Sequence, residues 1–205
     1  MGGVGFGKHG HVAVTTEAPA GTDATRTPST LAVGVVVWLA SEMMFFAGLF
    51  AAYFTLRSST STWPPHGVEL ATARTGLATV ALVASSLTMH GAVAAARRDD
   101  RAGAIRRFGV TILLGARFLT NLVLEYVDAT FRWHDHAYGS IFYLMTGFHG
   151  LHLIGGLVFM GAIAAAIAGR TSRAPAEPFV EVCAYYWHFV DVVWVAMFLT
   201  VYILK

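Results

Sequence analysis

The chain has 205 residues, 56% of them hydrophobic and 13% charged, with a formal charge of +2 and a mean hydropathy of +0.59. That is too apolar for an ordinary soluble domain and points to an all-α integral membrane protein with one compact domain. The small net charge gives no reason to expect a nucleic-acid partner, and the single cysteine, Cys183, excludes an intrachain disulfide and counts against a thiolate metal cluster.

In chain order, residues 1–30 are rich in Gly, Thr, Ala, Pro and His without an apolar run, and read as a polar, mobile tail rather than a signal peptide. His9 and His11 in this tail could bind stray metal, but a disordered tail is the better reading. The remaining domain, residues 31–205, contains apolar stretches at 31–57, 72–96, 104–127, 138–168 and 179–204. Each is long enough to cross a hydrocarbon core of roughly 30 Å, which takes about 20 helical residues. The expected architecture is therefore a bundle of five transmembrane helices, the run from Leu31 serving as insertion signal. The fourth stretch is longer than needed and is expected to tilt or to extend beyond the bilayer.

Five spans put the chain ends on opposite sides. The N-terminal side carries Lys8, Arg26, Arg97, Arg98, Arg101, Arg106, Arg107, Arg170 and Arg173, whereas the other side carries Arg57, Arg74, Arg132 and Lys205. The positive-inside rule then predicts a cytoplasmic N-terminus and an outer C-terminus, with Trp63, Trp133 and Tyr138 in the outer aromatic belt. No two spans share a polar spacing or a matching Gly/Pro interruption, which argues against a transporter built from inverted repeats.

The informative residues are polar ones inside these spans. Glu42 lies near the middle of the first, where a lone ionised carboxylate costs several kcal/mol, so it is expected to be protonated or paired. A proton-relay site, an inter-helix anchor and a neutral hydrogen-bonded acid all fit. Arg117, deep in the third span, could snorkel, pair with an acid or bind a lipid phosphate. Glu125 lies toward the outer end of that span, where partial hydration would make a carboxylate cheaper than at Glu42, and its plain reading is an interfacial anchor. His149 and His152 stand one turn apart in the fourth span; with His188 and His90 they offer imidazoles for a metal, but nothing fixes their convergence. The nearby Gly147, Gly150, Gly155 and Gly156 suggest close helix or lipid approach instead. In the fifth span His188 and Asp191, at i and i+3, share a helix face and can bond each other or a common partner.

These residues fall in long ordered motifs. They are Ser41-Glu42 with Phe45-Phe46-Ala47-Gly48, then Glu125-Tyr126, then Tyr138-Gly139-Ser140 with Thr146-Gly147-Phe148-His149-Gly150-Leu151-His152, and finally Tyr186-Trp187-His188-Phe189-Val190-Asp191-Val192-Val193-Trp194. From about Trp38 to the C-terminus the chain resembles subunit III of the haem–copper respiratory oxidases, most closely cytochrome c oxidase subunit III. The resemblance implies a helical subunit without haem or copper of its own, packed beside a catalytic subunit and supporting sustained proton uptake. It also implies bound phospholipid and helix contacts at Glu42, Glu125, His149, His152, His188 and Asp191. The implied partners are oxidase subunits I and II, which carry the haem and copper, with cytochrome c reached only through the complex, in a bacterial-type plasma membrane.

The chain departs from the family pattern in three places. The seven-helix form has two further helices before the Glu42 helix, where this chain reads as a polar tail, so a lipid cleft built from them is not assumed. Asn121 is the nearest amide where the family often has a glutamine, and Arg117 is unusual. Subunit III of a quinol oxidase and an accessory subunit of a nitric oxide reductase remain alternatives. A small membrane transporter is an alternative of another class, disfavoured because the polar residues are too few for a continuous water path.

Overall fold

The computed structural model describes residues 1–3, 30–169 and 176–204, so most of the tail read at residues 1–30, and the cations Lys8, Arg26, Arg170, Arg173 and Lys205, lie outside the described residues. Five helices follow one another: α1 Thr30–Ser58, α2 Thr72–Arg97, α3 Arg101–Asp128, α4 Ala137–Ala168 and α5 Glu177–Phe198, the last continued by a π-type turn at Leu199–Ile203. Each is long and apolar enough to span a membrane, and the described residues contain no strand.

The expected spans match these helices except at ends set by capping. α3 begins at Arg101 rather than at 104 because the Asp100 carboxylate accepts the Gly103 amide at 2.8 Å and fixes the first turn. The charged run Arg97–Arg101, expected as a break, contributes to both helices. Asp99, at φ 56°, turns the chain in the left-handed region that short polar side chains tolerate. The Arg98, Asp99 and Asp100 amides then close onto the Ala95 and Ala96 carbonyls. α5 begins at Glu177 rather than at 179 because Pro178 sits in the first helical turn, where its missing N–H costs nothing.

α2, α3, α4 and α5 form a closed block, and α1 lies in the notch outside α4 and α5. The block is pinned by two fully buried tryptophans of α5 set two turns apart. The Trp187 indole N–H donates to Ser85 Oγ of α2 at 2.9 Å. Its ring fills the space left by two glycines: a Cβ on Gly115 of α3 would stand 2.7 Å from the ring, and one on Gly156 of α4 3.1 Å. Trp194 donates to Thr79 Oγ1 of α2 at 2.9 Å and packs edge-on to Phe118 of α3 with centroids 4.6 Å apart. Lipid offers no hydrophobic drive for helix association, so close approach through glycine and inter-helix hydrogen bonds must do that work.

Candidate functional site

The intramembrane polar residues are distributed among separate inter-helix contacts. Glu42 of α1 meets His152 of α4, with Oε2 and Nε2 3.0 Å apart. His152 Nδ1 lies 2.7 Å from the Phe148 carbonyl, which can only accept, so Nδ1 carries a hydrogen. Nε2 and the carboxylate then share one proton, as acid and neutral imidazole or as carboxylate and imidazolium; either arrangement is neutral overall. The expectation that Glu42 is protonated or paired therefore finds a specific partner. Around this contact Tyr186 donates its hydroxyl to the His152 carbonyl at 2.8 Å, and Trp38 of α1 stacks on Tyr186 at 5.5 Å.

The Trp38–Tyr186 stack also lines an apolar groove of about 310 Å³, with Val35, Gly155, Phe159 and Val182. A second apolar cavity of about 190 Å³, sharing Phe159, continues along α4 and α5 to Ala176 and Phe179. Together they run from beside the Glu42–His152 contact to the bundle end where α1 and α5 begin.

His188 and Asp191 of α5 do share a partner, Ser86 of α2. The Ser86 hydroxyl donates to Asp191 Oδ2. It has one hydrogen to give, so His188 Nδ1, 3.0 Å away, donates to the Ser86 oxygen. The His90 ring of α2 lies 4.8 Å from that of His188, and His188 lines two adjoining cavities of about 320 and 430 Å³ on the α2–α5 surface. At the end of the bundle where α2 finishes, Arg97 closes this seam on Glu177 at 3.5 Å and Glu181 at 3.2 Å.

Glu125 lies toward the C-terminal end of α3 and, although only 3% exposed, lines a cavity of about 230 Å³ with Arg74 and Asp128. Its carboxylate serves the start of α2, accepting from the Ala71 amide at 3.0 Å, Thr75 Oγ1 at 3.0 Å and Arg74 Nη2 at 3.2 Å. Arg74 also pairs with Asp128 at 2.5 Å. α2 has no side-chain cap of its own, so an acid of α3 supplies the acceptor and negative charge that a helix N-terminus favours.

His149 and His152, although one turn apart, face different neighbours. His149 is fully buried, tilted against Trp194 at 5.0 Å and edge-on to Phe118 at 6.1 Å. Neither of its ring nitrogens meets a protein hydrogen-bond partner. Among the described residues no three His, Cys, Asp or Glu side chains come close enough to form a metal-holding group. Arg117, whose pairing was left open, is exposed on α3 and meets no acid among the described residues. An isolated arginine at the centre of a spanning helix costs about 2.5–3.5 kcal/mol on insertion scales.

Ser86, Thr75, Gly115 and the pairing of Arg74 with Glu125 were not singled out from sequence, whereas Gly156 was read as a place of close helix approach. The available signal was the series of hydroxyls in α2, Thr75, Thr79, Ser85, Ser86 and Thr88, in an otherwise apolar span.

Residues 11–205 match the family described as "Cytochrome c oxidase subunit III". A relative named "Probable cytochrome c oxidase subunit 3", from Nocardia farcinica, is 42% identical over 183 residues, covering 87% of this chain and 90% of the relative. "Cytochrome c oxidase subunit 3" of Corynebacterium diphtheriae is 38% identical over 195 residues, with 92% and 95% covered. The protein of the same name from Synechocystis sp. is 40% identical over 174 residues, with 83% and 74% covered. The helices, the motif order and matches of this extent lead to one conclusion: the chain belongs to the cytochrome c oxidase subunit III family, and thus to a multi-subunit respiratory oxidoreductase of the membrane.

Proposed function

We propose that this chain is a non-catalytic subunit that binds phospholipid and sustains turnover and proton uptake by the catalytic subunit of a cytochrome c oxidase. The observation that supports this reading is the dispersal of its intramembrane acids and imidazoles. Glu42–His152 joins α1 to α4, Ser86–His188–Asp191 joins α2 to α5, Glu125 joins α3 to α2, and His149 sits in an aromatic cage between α3 and α5. Each group positions helices, and they do not face a common point, as ligands of a redox centre must. The groove from Trp38 to Phe179 has the apolar lining that an acyl chain needs, with the neutral Glu42–His152 contact at its inner end.

The chain sits beside subunits I and II, which carry the haem and copper, and meets cytochrome c only through them. Arg97, Arg98, Arg101, Arg106 and Arg107 lie at the bundle end where α2 stops and α3 starts. The described residues of the opposite end carry fewer, Arg57, Arg74 and Arg132. That imbalance supports a cytoplasmic N-terminal side, the side from which protons enter.

The test is to release the chain from the purified oxidase in mild detergent and measure its visible spectrum, copper and phospholipid. The expected product carries phospholipid, less of it after Trp38→Ala, and neither haem nor copper. Stoichiometric haem or copper retained by the chain would overturn the reading.

A further inference from the structure

We propose that the outward face of α3 around Arg117 docks a transmembrane helix of another oxidase subunit, one that sets an Asp or Glu carboxylate opposite Arg117 inside the bilayer. Arg106, Val110, Leu113, Arg117 and Leu124 recur every three to seven residues on the exposed side of α3, which puts them along one stripe. Within this stripe Arg117 is the single charge between Arg107 and Glu125. It follows Arg107 by ten residues and precedes Glu125 by eight, or about 15 Å and 12 Å along the axis at about 1.5 Å per residue.

Among the described residues none supplies an anion there. α2 and α4, which flank α3, contain no acidic residue. The acids of the other helices are engaged elsewhere, Glu42 with His152, Asp191 with Ser86, and Glu177 and Glu181 with Arg97, and Glu125 of α3 itself is held by Arg74, Thr75 and the Ala71 amide. A second copy of the chain would bring the same engaged acids and, across a two-fold axis on this face, a second Arg117 against the first. A lipid phosphate stays at headgroup depth, farther from Arg117 than its side chain extends without deforming the bilayer. A carboxylate on a neighbouring subunit's helix meets the guanidinium where it stands, with two parallel N–H···O bonds. Gly109, exposed and with open space where a Cβ would point, lets that helix come close two turns away.

This inference rests on the chain being an oxidase subunit, and the experiment separates the two. A photo-crosslinking amino acid replaces Leu113, one turn from Arg117 and 69% exposed, in the intact complex, leaving the arginine in place. The expected crosslink is to a spanning peptide of another oxidase subunit with an Asp or Glu within one turn of the site. Arg117→Glu should then lower retention of the chain in the purified complex about tenfold or more, and reversing the partner acid to Arg should restore it. Crosslinks to lipid alone, or to a second copy, would overturn the docking proposal, as would full retention of both Arg117→Glu and Arg117→Leu. If the unsubstituted chain failed to copurify with the oxidase at all, the subunit reading would fall first.

Discussion

α1 and α5 are both apolar enough to cross a membrane, yet 61% of the most apolar stretch of α5 is buried inside the bundle against 11% for α1. α5 is held by shape: Trp187 enters the space that glycines of α3 and α4 leave open, Trp194 packs edge-on to Phe118 of α3, and both indole N–H groups are taken by hydroxyls of α2. α1 is held by a few directional contacts, namely Glu42 on His152, Trp38 on Tyr186 and the Tyr53 hydroxyl on the Thr200 carbonyl at 3.2 Å. Hydrophobicity alone therefore does not set a helix's place in a bilayer. Packing and hydrogen bonds do, and a helix tied at a few points leaves its flanks open to lipid.

The largest effect is expected where packing dominates. Trp187→Ala removes the ring that fills the gap between Gly115 and Gly156 and the bond that Ser85 Oγ accepts, at a cost of about 3–5 kcal/mol by analogy with large-to-small core changes. Unfolding in bicelles should show most of the four-helix block's stability lost, and a loss under 1 kcal/mol would show that the pin has been misjudged. A smaller effect is expected at the α1 contact. Glu42→Leu leaves His152 Nε2 without its partner, about 1–2 kcal/mol in a membrane, while Glu42→Gln keeps a hydrogen-bonding group of similar volume and should preserve assembly. Equal loss of assembly with both variants would mean that the proton or charge of Glu42 is indispensable, and α1 would then be more than a tethered helix. The smallest effect is expected for Tyr53→Phe, which removes the bond to Thr200 and the acceptor for the Trp63 indole at 3.0 Å. About 0.6 kcal/mol for each of the two bonds is expected, visible as faster proteolysis of the segment after α1 with the rest of the bundle unchanged.

The same contrast explains what could be read from the chain. Five spans were legible because an apolar run of about 20 residues has few alternatives; the starts of α3 and α5 were not, because one is set by the Asp100 side chain and the other by proline's tolerance of a first turn. His188 and Asp191 were legible as a pair because they share a helix, but the Ser86 that joins them comes from α2, more than a hundred residues earlier. Glu42 visibly required a partner without revealing His152. Glu125 was legible as an acid toward the end of its span, but depth along its own helix says nothing of Arg74 and the start of α2 folding over it. The divergence of His149 from His152 depended on where α1, α3 and α5 stand around α4, which a single helix cannot disclose.

The most direct measurement compares oxygen reduction by the oxidase with and without this chain, recording the initial rate and the activity remaining over many turnovers from neutral to alkaline pH. The account predicts an initial rate largely retained without the chain, a weakening toward alkaline pH as proton delivery falters, and progressive inactivation during turnover that restoring the chain prevents. An immediate, complete loss of oxygen reduction in an otherwise assembled and fully metallated partner would contradict it.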